Sequence, residues 1–146
     1  MATLGGVDIP PELHAVIESG PLVHLSTLNA DGSPQVSVVW VGFDGGDLVT
    51  AHMSARLKVR NLQRDARAVL SFLAPTEPGA LLHRYAVLRS RATVEPSDRA
   101  WDVLNRLMKV YVSADATFPA PPGPGFLVRY AVDRITGVGP WVPSAH

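Results

Sequence analysis

The residues with the clearest chemistry stand in the run Met-Ser-Ala-Arg-Leu-Lys-Val-Arg-Asn at 53–61, just after a short apolar stretch that ends in Thr50, Ala51 and His52. Ser54 is placed to cap a helix whose first residues include Arg56 and Lys58. The first backbone N–H groups of a helix have no intrahelical acceptor, so with two cations beside them they form an anion site suited to a phosphate. A solvated basic helix start has the same composition, and the run taken alone fits both readings. It is not a nucleotide P-loop, because no Gly-x-x-x-x-Gly-Lys occurs. Nor does a Gly-x-Gly-x-x-Gly dinucleotide fingerprint follow a strand.

Other polar groups are less specific. Gln35 and Ser37 alternate with apolar neighbours and suit either the polar edge of a heterocycle or the plain solvent face of a strand. His14, His24, His52 and His83 are scattered, with no i, i+4 pair, so metal binding is not expected; His52 matters only because it adjoins the anion run. Ser26, Ser71 and Ser90 lie in no Gly-x-Ser-x-Gly elbow. Trp141, Arg84 and Tyr85 suit a core or interface as well as the face of a bound ring. With no nucleophile, metal site or general acid in view, any reaction falls to a cofactor that the protein holds and orients, and hydride transfer fits that division.

Several elements must position these groups. Residues 10–19 read as a short helix with proline at its start, closing one end of a barrel. Residues 22–28 read as a strand, joined through the turn at 29–34 to a second strand from 35 to 43, in which Val36, Val38 and Trp40 share one face and Gln35, Ser37 and Val39 the other. One face is core and the other a polar lip that can hold a planar ligand. After the turn at 44–47 the chain returns over 48–52, which predicts a three-stranded meander. The basic helix spans 55 to about 65, with Val59, Leu62 and Ala66 inward and Arg56, Arg60 and Arg64 outward. Strands follow at 68–73, at 85–94 with Arg89 and Arg91, and at 126–138. A helix capped by Ser97 and running to Tyr111 carries Ala100, Leu104, Leu107 and Tyr111 on one side. The Pro- and Gly-rich stretch 118–125 is an ordered loop, and a tail follows Trp141. About six strands with helices between them predict a small antiparallel barrel with a filled interior. A large planar ligand would then lie in an outer crevice where two copies meet.

The chain of 146 residues suits one domain over 1–146, with a core of about 11–141. Thirteen basic and thirteen acidic residues leave no net field to draw nucleic acid or a membrane surface. There is no cysteine, which excludes disulfides and thiolate chemistry. Residues 1–20 lack a basic start followed by an apolar run, and no stretch is apolar enough to span a bilayer, so a cytoplasmic protein is expected.

The stretches Ser-Thr-Leu-Asn-Ala-Asp-Gly-Ser-Pro-Gln-Val-Ser from Ser26 and Arg-Leu-Lys-Val-Arg-Asn-Leu-Gln-Arg-Asp-Ala-Arg-Ala from Arg56 resemble the pyridoxamine 5'-phosphate oxidase-like split β-barrel superfamily. Within it, they resemble the flavin/deazaflavin oxidoreductases of the B type, which use coenzyme F420. The resemblance runs from about Pro11 to Trp141. It implies a mainly β, antiparallel split barrel and a homodimer with two cofactor sites at the interface. Arg56, Lys58 and Asn61 are then expected at the cofactor's phosphate, and Gln35, Ser37, Thr50, Ala51 and His52 along its tail and ring. Arg84, Tyr85 and Trp141 are expected to cover the ring from the other subunit. The implied activity is hydride transfer from reduced deazaflavin to an electron-poor small molecule such as an enone, quinone or tetrapyrrole, with the proton from solvent or a nearby tyrosine. FMN is the alternative cofactor, and a non-catalytic binding or storage protein is the alternative role.

Overall fold

A computed structural model of the chain describes residues 5–142. Ten elements follow in order: α1 (Pro11–Glu18), β1 (Val23–Leu28), β2 (Pro34–Val39), β3 (Gly42–Asp44), β4 (Asp47–His52), α2 (Leu57–Arg64), β5 (Arg67–Leu73), β6 (Tyr85–Ser97), α3 (Ala100–Tyr111) and β7 (Gly125–Val138). The strands make one sheet in the order β2-β1-β5-β6-β7-β4-β3, with every neighbouring pair antiparallel.

Strands β2 and β3 are consecutive in the chain yet hold opposite edges of this sheet. Only Trp40 and Val41 separate them, and at roughly 3.5 Å per extended residue that link holds the two edges within about 11 Å. The sheet therefore curls into a barrel that is split along this seam. Helix α3 clamps the link: the Val41 N–H donates to the Tyr111 hydroxyl at 3.1 Å, that hydroxyl donates to the Pro21 carbonyl at 2.7 Å, and the Trp40 ring stacks on Tyr111. The predicted single strand over 35–43 and the predicted meander are both corrected here. Alternation continues through Trp40, but the chain leaves one edge there, and β4 pairs with β7 instead of β2. Seven strands result where six were expected.

Alternation sets the inside of the barrel. Val23 and Leu25 of β1, Leu70 and Phe72 of β5, Ala86 and Leu88 of β6, and Val128 and Tyr130 of β7 are buried together. Leu13 and Ile17 of α1 join that cluster and plug one end, the role expected of this helix. Each such leucine or isoleucine contributes about 1.5–3 kcal/mol by leaving water, so α1 is anchored by two residues. A second cluster joins Ala100, Val103 and Leu107 of α3 to Val49 and Ala51 of β4 and Leu127 of β7. Strand β4 thus lies between the barrel interior and α3, which is why Leu48, Val49, Thr50 and Ala51 are all buried.

Helix boundaries differ from expectation at their caps. The N-cap of α2 is Arg56, in extended backbone, and no side chain caps it; Ser54 contributes only its carbonyl, to the Arg56 N–H. Val59 and Leu62 are buried as expected, but the helix stops at Arg64, where Asp65 turns extended, so Ala66 is exposed and serves the sheet through its carbonyl. Strand β6 runs three residues past Val94, and Ser97 accepts the Arg99 N–H one turn before α3 begins. At the β3–β4 turn Asp44, 4% exposed, takes hydrogen bonds from both Arg99 and Arg129, and Arg129 also reaches Asp47 and Glu95. Burial pushes the Asp44 carboxyl up, but the two arginines outweigh it and hold it below its ordinary value.

Candidate functional site

A cleft of about 280 Å³ opens at the start of α2, lined by Ala51, His52, Met53, Ser54, Arg56, Lys58, Leu104 and Phe118. Three elements meet there. Strand β4 ends at His52, α2 begins at Leu57, and α3 supplies Leu104. Gly125, at the start of β7, makes the close approach possible: a Cβ on it would lie 2.4 Å from the His52 carbonyl oxygen and 2.9 Å from Ala100 Cβ.

Chemically the cleft is an open anion cradle. The first N–H groups of α2 are uncapped, and neither Arg56 nor Lys58 has a carboxylate partner among the described residues. His52 Nε2 is 2.8 Å from the Thr50 hydroxyl, which is 2.8 Å from the hydroxyl of fully buried Tyr130. This chain fixes the imidazole plane. Burial first, and the Lys58 charge second, bring the pKa of His52 down to about 4, so the ring is uncharged at neutral pH. Burial raises the Tyr130 hydroxyl, against the opposing hydrogen bond with Thr50, and keeps it protonated.

Of the residues singled out in the sequence, the structure brings Ala51, His52, Arg56 and Lys58 to this one cleft, with Thr50 directly behind His52. It does not bring the others. Asn61 is 1% exposed, and its Nδ2 hydrogens go to Thr27 Oγ1 at 3.0 Å and Asn29 Oδ1 at 3.1 Å. Its Oδ1 accepts from Arg64, which is exposed on the outer side of α2 as expected and also donates to the Leu28 carbonyl at the end of β1. Asn61 therefore pins α2 to the β1–β2 hairpin.

The two faces of β2 are reversed from the expected arrangement. Gln35, Ser37 and Val39 turn inward, while Val36 and Val38 are 55% and 54% exposed. Gln35 Oε1 accepts from Thr27 Oγ1, and the Ser37 hydroxyl is buried with no hydrogen-bond partner among the described residues. Alternation alone cannot tell which face is core, and the register with β1 decides it.

Arg84, Tyr85 and Trp141 meet one another elsewhere. The Trp141 Nε1–H donates to the Tyr85 carbonyl at 3.1 Å, and the Arg84 guanidinium lies 5.2 Å over the indole. Trp141 is only 5% exposed and belongs to the main core. The tail beyond Val142 lies outside the described residues. Leu104 and Phe118 are the cleft residues that sequence reasoning missed; Leu104 was assigned to the apolar side of α3, and Phe118 opens the loop the proline pattern had marked. Among the described residues no group of three His, Asp or Glu side chains converges as a metal site, and no helix is long and apolar enough to cross a membrane.

A seven-stranded antiparallel sheet curled to a two-residue seam, plugged by one helix and opening a basic cleft at another, is the split β-barrel fold. A sequence model described as pyridoxamine 5'-phosphate oxidase matches residues 9–139, and the chain belongs to that family. A solved structure named as an F420 reductase matches with a TM-score of 0.70 and 24% identity, over 88% of this chain and 98% of that one. The protein Rv2991 from Mycobacterium tuberculosis matches with a TM-score of 0.67 and 16% identity, over 94% of this chain and 88% of that one. A heme-binding protein from Mycobacterium smegmatis matches with a TM-score of 0.61 and 25% identity, over 86% of this chain and 52% of that one. No curated protein matches the chain in sequence.

Proposed function

We propose that the protein is an oxidoreductase that binds coenzyme F420 by its phosphate and transfers hydride from the reduced deazaflavin to an electron-poor small molecule of the enone, quinone or tetrapyrrole class. The observation that carries this reading is the α2 cleft, where uncapped backbone N–H groups, Arg56 and Lys58 converge with no internal counter-charge. That donor set fits a phosphate monoester or diester. Membership of an oxidase family and the likeness to a reductase of that coenzyme support it. When bound, the deazaflavin supplies the hydride.

The chain's own residues bind and orient. Arg56 and Lys58 hold the anion. His52, uncharged and locked to Thr50, gives the polar chain of the cofactor a fixed hydrogen-bonding neighbour without adding charge. Leu104 and Phe118 exclude water from the cleft's apolar side. Asn61 acts at one remove, by holding α2 in place, and Gln35 and Ser37 shape the β2 interior; Trp141 is core. The ring is covered by a second copy in a homodimer, a reading supported by the solvent-facing aliphatic end of the sheet, where Leu22, Val38, Leu73 and Tyr85 are all exposed.

FMN also ends its ribityl chain in a phosphate, so the phosphate donors alone do not separate the two cofactors. The heme-binding neighbour favours a second reading, a cofactor-binding protein without turnover. Parallel fluorescence titrations of the cofactor-free protein with the deazaflavin and with FMN separate these. Micromolar or tighter deazaflavin binding with weak FMN binding, followed by turnover with an enone or quinone, is the expected result; the reverse preference moves the protein to the flavin branch, and binding without turnover on any acceptor supports the second reading.

A further inference from the structure

We propose that Tyr130 and Thr50 form a buried hydrogen-bond relay that fixes His52 as its Nδ1–H tautomer, making it a neutral donor, beside Arg56 and Lys58, to a phosphate oxygen in the α2 cleft. This role deepens the phosphate reading of the cleft and rests on it. Strand geometry builds the relay. Side chains alternate along β4, so Leu48, Thr50 and His52 share one face. Leu48 pairs with Tyr130 and Thr50 with Val128, which sets Tyr130 of β7 diagonally opposite Thr50. Leu48, Val128 and Tyr130 belong to the barrel core, and Thr50 is 1% exposed among them. His52, at the end of the strand, reaches the cleft.

The direction of each hydrogen bond follows from the hydrogens available. The Tyr130 hydroxyl lies 2.8 Å from Thr50 Oγ1 and has no other hydrogen-bond partner among the described residues. A buried phenol that only accepted would leave its own O–H unused, at a cost in free energy, so Tyr130 donates and Thr50 accepts. The threonine hydroxyl has one hydrogen of its own, and His52 Nε2 stands 2.8 Å away to take it. The ring is uncharged at neutral pH, so with Nε2 accepting, its single proton sits on Nδ1. Among the described residues the Ser37 hydroxyl is the one enclosed side-chain group without a partner; Nδ1, which has none either, is therefore open, and the cleft is the space His52 lines. A relay running the other way would present a lone pair to the cleft and repel a phosphate oxygen. Tyr130 touches no ligand and acts through Thr50, so it is a positioning residue.

Heteronuclear NMR of the side-chain nitrogens in the full chain, without and with inorganic phosphate, reads the relay and its use separately, with the His52 signals identified by their loss in His52→Gln. The expected result at neutral pH is an Nδ1–H tautomer before any ligand is added, and a phosphate-dependent shift of that Nδ1 together with the Arg56 and Lys58 side chains. Tyr130→Phe keeps the ring and removes the donor; it should move His52 toward the Nε2–H tautomer and weaken phosphate binding about fivefold. Thr50→Val should do the same, and Thr50→Ser should restore the parent's tautomer. An Nε2–H tautomer in the parent, or an Nδ1–H tautomer kept in both Tyr130→Phe and Thr50→Val, overturns the relay. Phosphate that shifts Arg56 and Lys58 but leaves His52 unmoved overturns the contact while the cleft stands as an anion site. Phosphate that shifts none of the three overturns the cleft reading and this role with it.

Discussion

The protein has two basic surfaces built by opposite means, and the contrast shows how a chain of zero net charge makes a local anion site. At the α2 cleft the cations come from a loop and the first turn of a helix, and the backbone adds its own unsatisfied N–H groups. On β5, β6 and β7 the cations Arg67, Arg89, Arg91 and Arg134 are strand residues set by register, and Arg67 and Arg91 are cancelled by nearby aspartates. A third set, Arg99 and Arg129, is fully committed to Asp44, Asp47 and Glu95 and is structural. A cation's role follows from whether the fold has given it a partner.

That contrast breaks most visibly at the committed set. Asp44→Asn leaves Arg129 half-buried without its main counter-charge, with an expected loss of about 3 kcal/mol in urea unfolding, the lower end for a broken buried pair; a loss near zero would show that Glu95 and Asp47 suffice. The Arg56→Ala/Lys58→Ala variant should lower affinity for the phosphate-bearing cofactor about 100-fold, from two charged contacts of roughly 1.5 kcal/mol each. Unchanged affinity would erase the difference between the two surfaces.

A pH series sharpens the comparison, because the cleft holds a buried titrating ring and the arginine set of β5, β6 and β7 does not. His52 titrates near 4 in the folded protein and near 6.5 when unfolded, so between those values the unfolded chain binds more protons. Its contribution is complete above pH 6.5 and is lost as pH falls toward 4, by at most about 3 kcal/mol. Unfolding midpoints of His52→Gln should be flatter than those of the parent across that window; parallel curves would remove His52 as the cause. The smallest effect is expected at Asp133→Asn, which frees Arg91: no measurable change in melting, since the pair is exposed.

Much of the cleft was legible in the sequence because it is local. Thr50, Ala51, His52, Arg56 and Lys58 lie within nine residues, so a strand end followed by a helix start brings them together whatever the rest of the chain does. Asn61 lies only three residues beyond Lys58, yet its role depends on Thr27 and Asn29, more than thirty positions away. The relay behind His52 was hidden for the same reason: Tyr130 lies 80 positions from Thr50 and looks like an ordinary core aromatic until the register sets the two side by side.

By itself the sequence determined the helices, most strand segments, the apolar sets of α1 and α3, and the basic start of α2, since periodicity and short-range spacing encode them. Tertiary structure alone decided that the chain crosses from one sheet edge to the other at Trp40–Val41, that Gln35 and Ser37 face inward, and that Tyr130 stands beside Thr50. Side-chain alternation has a period of two and leaves face and register undetermined; only pairing with a neighbouring strand selects between them, and in β2 it turns Gln35 and Ser37 inward and Val36 and Val38 outward.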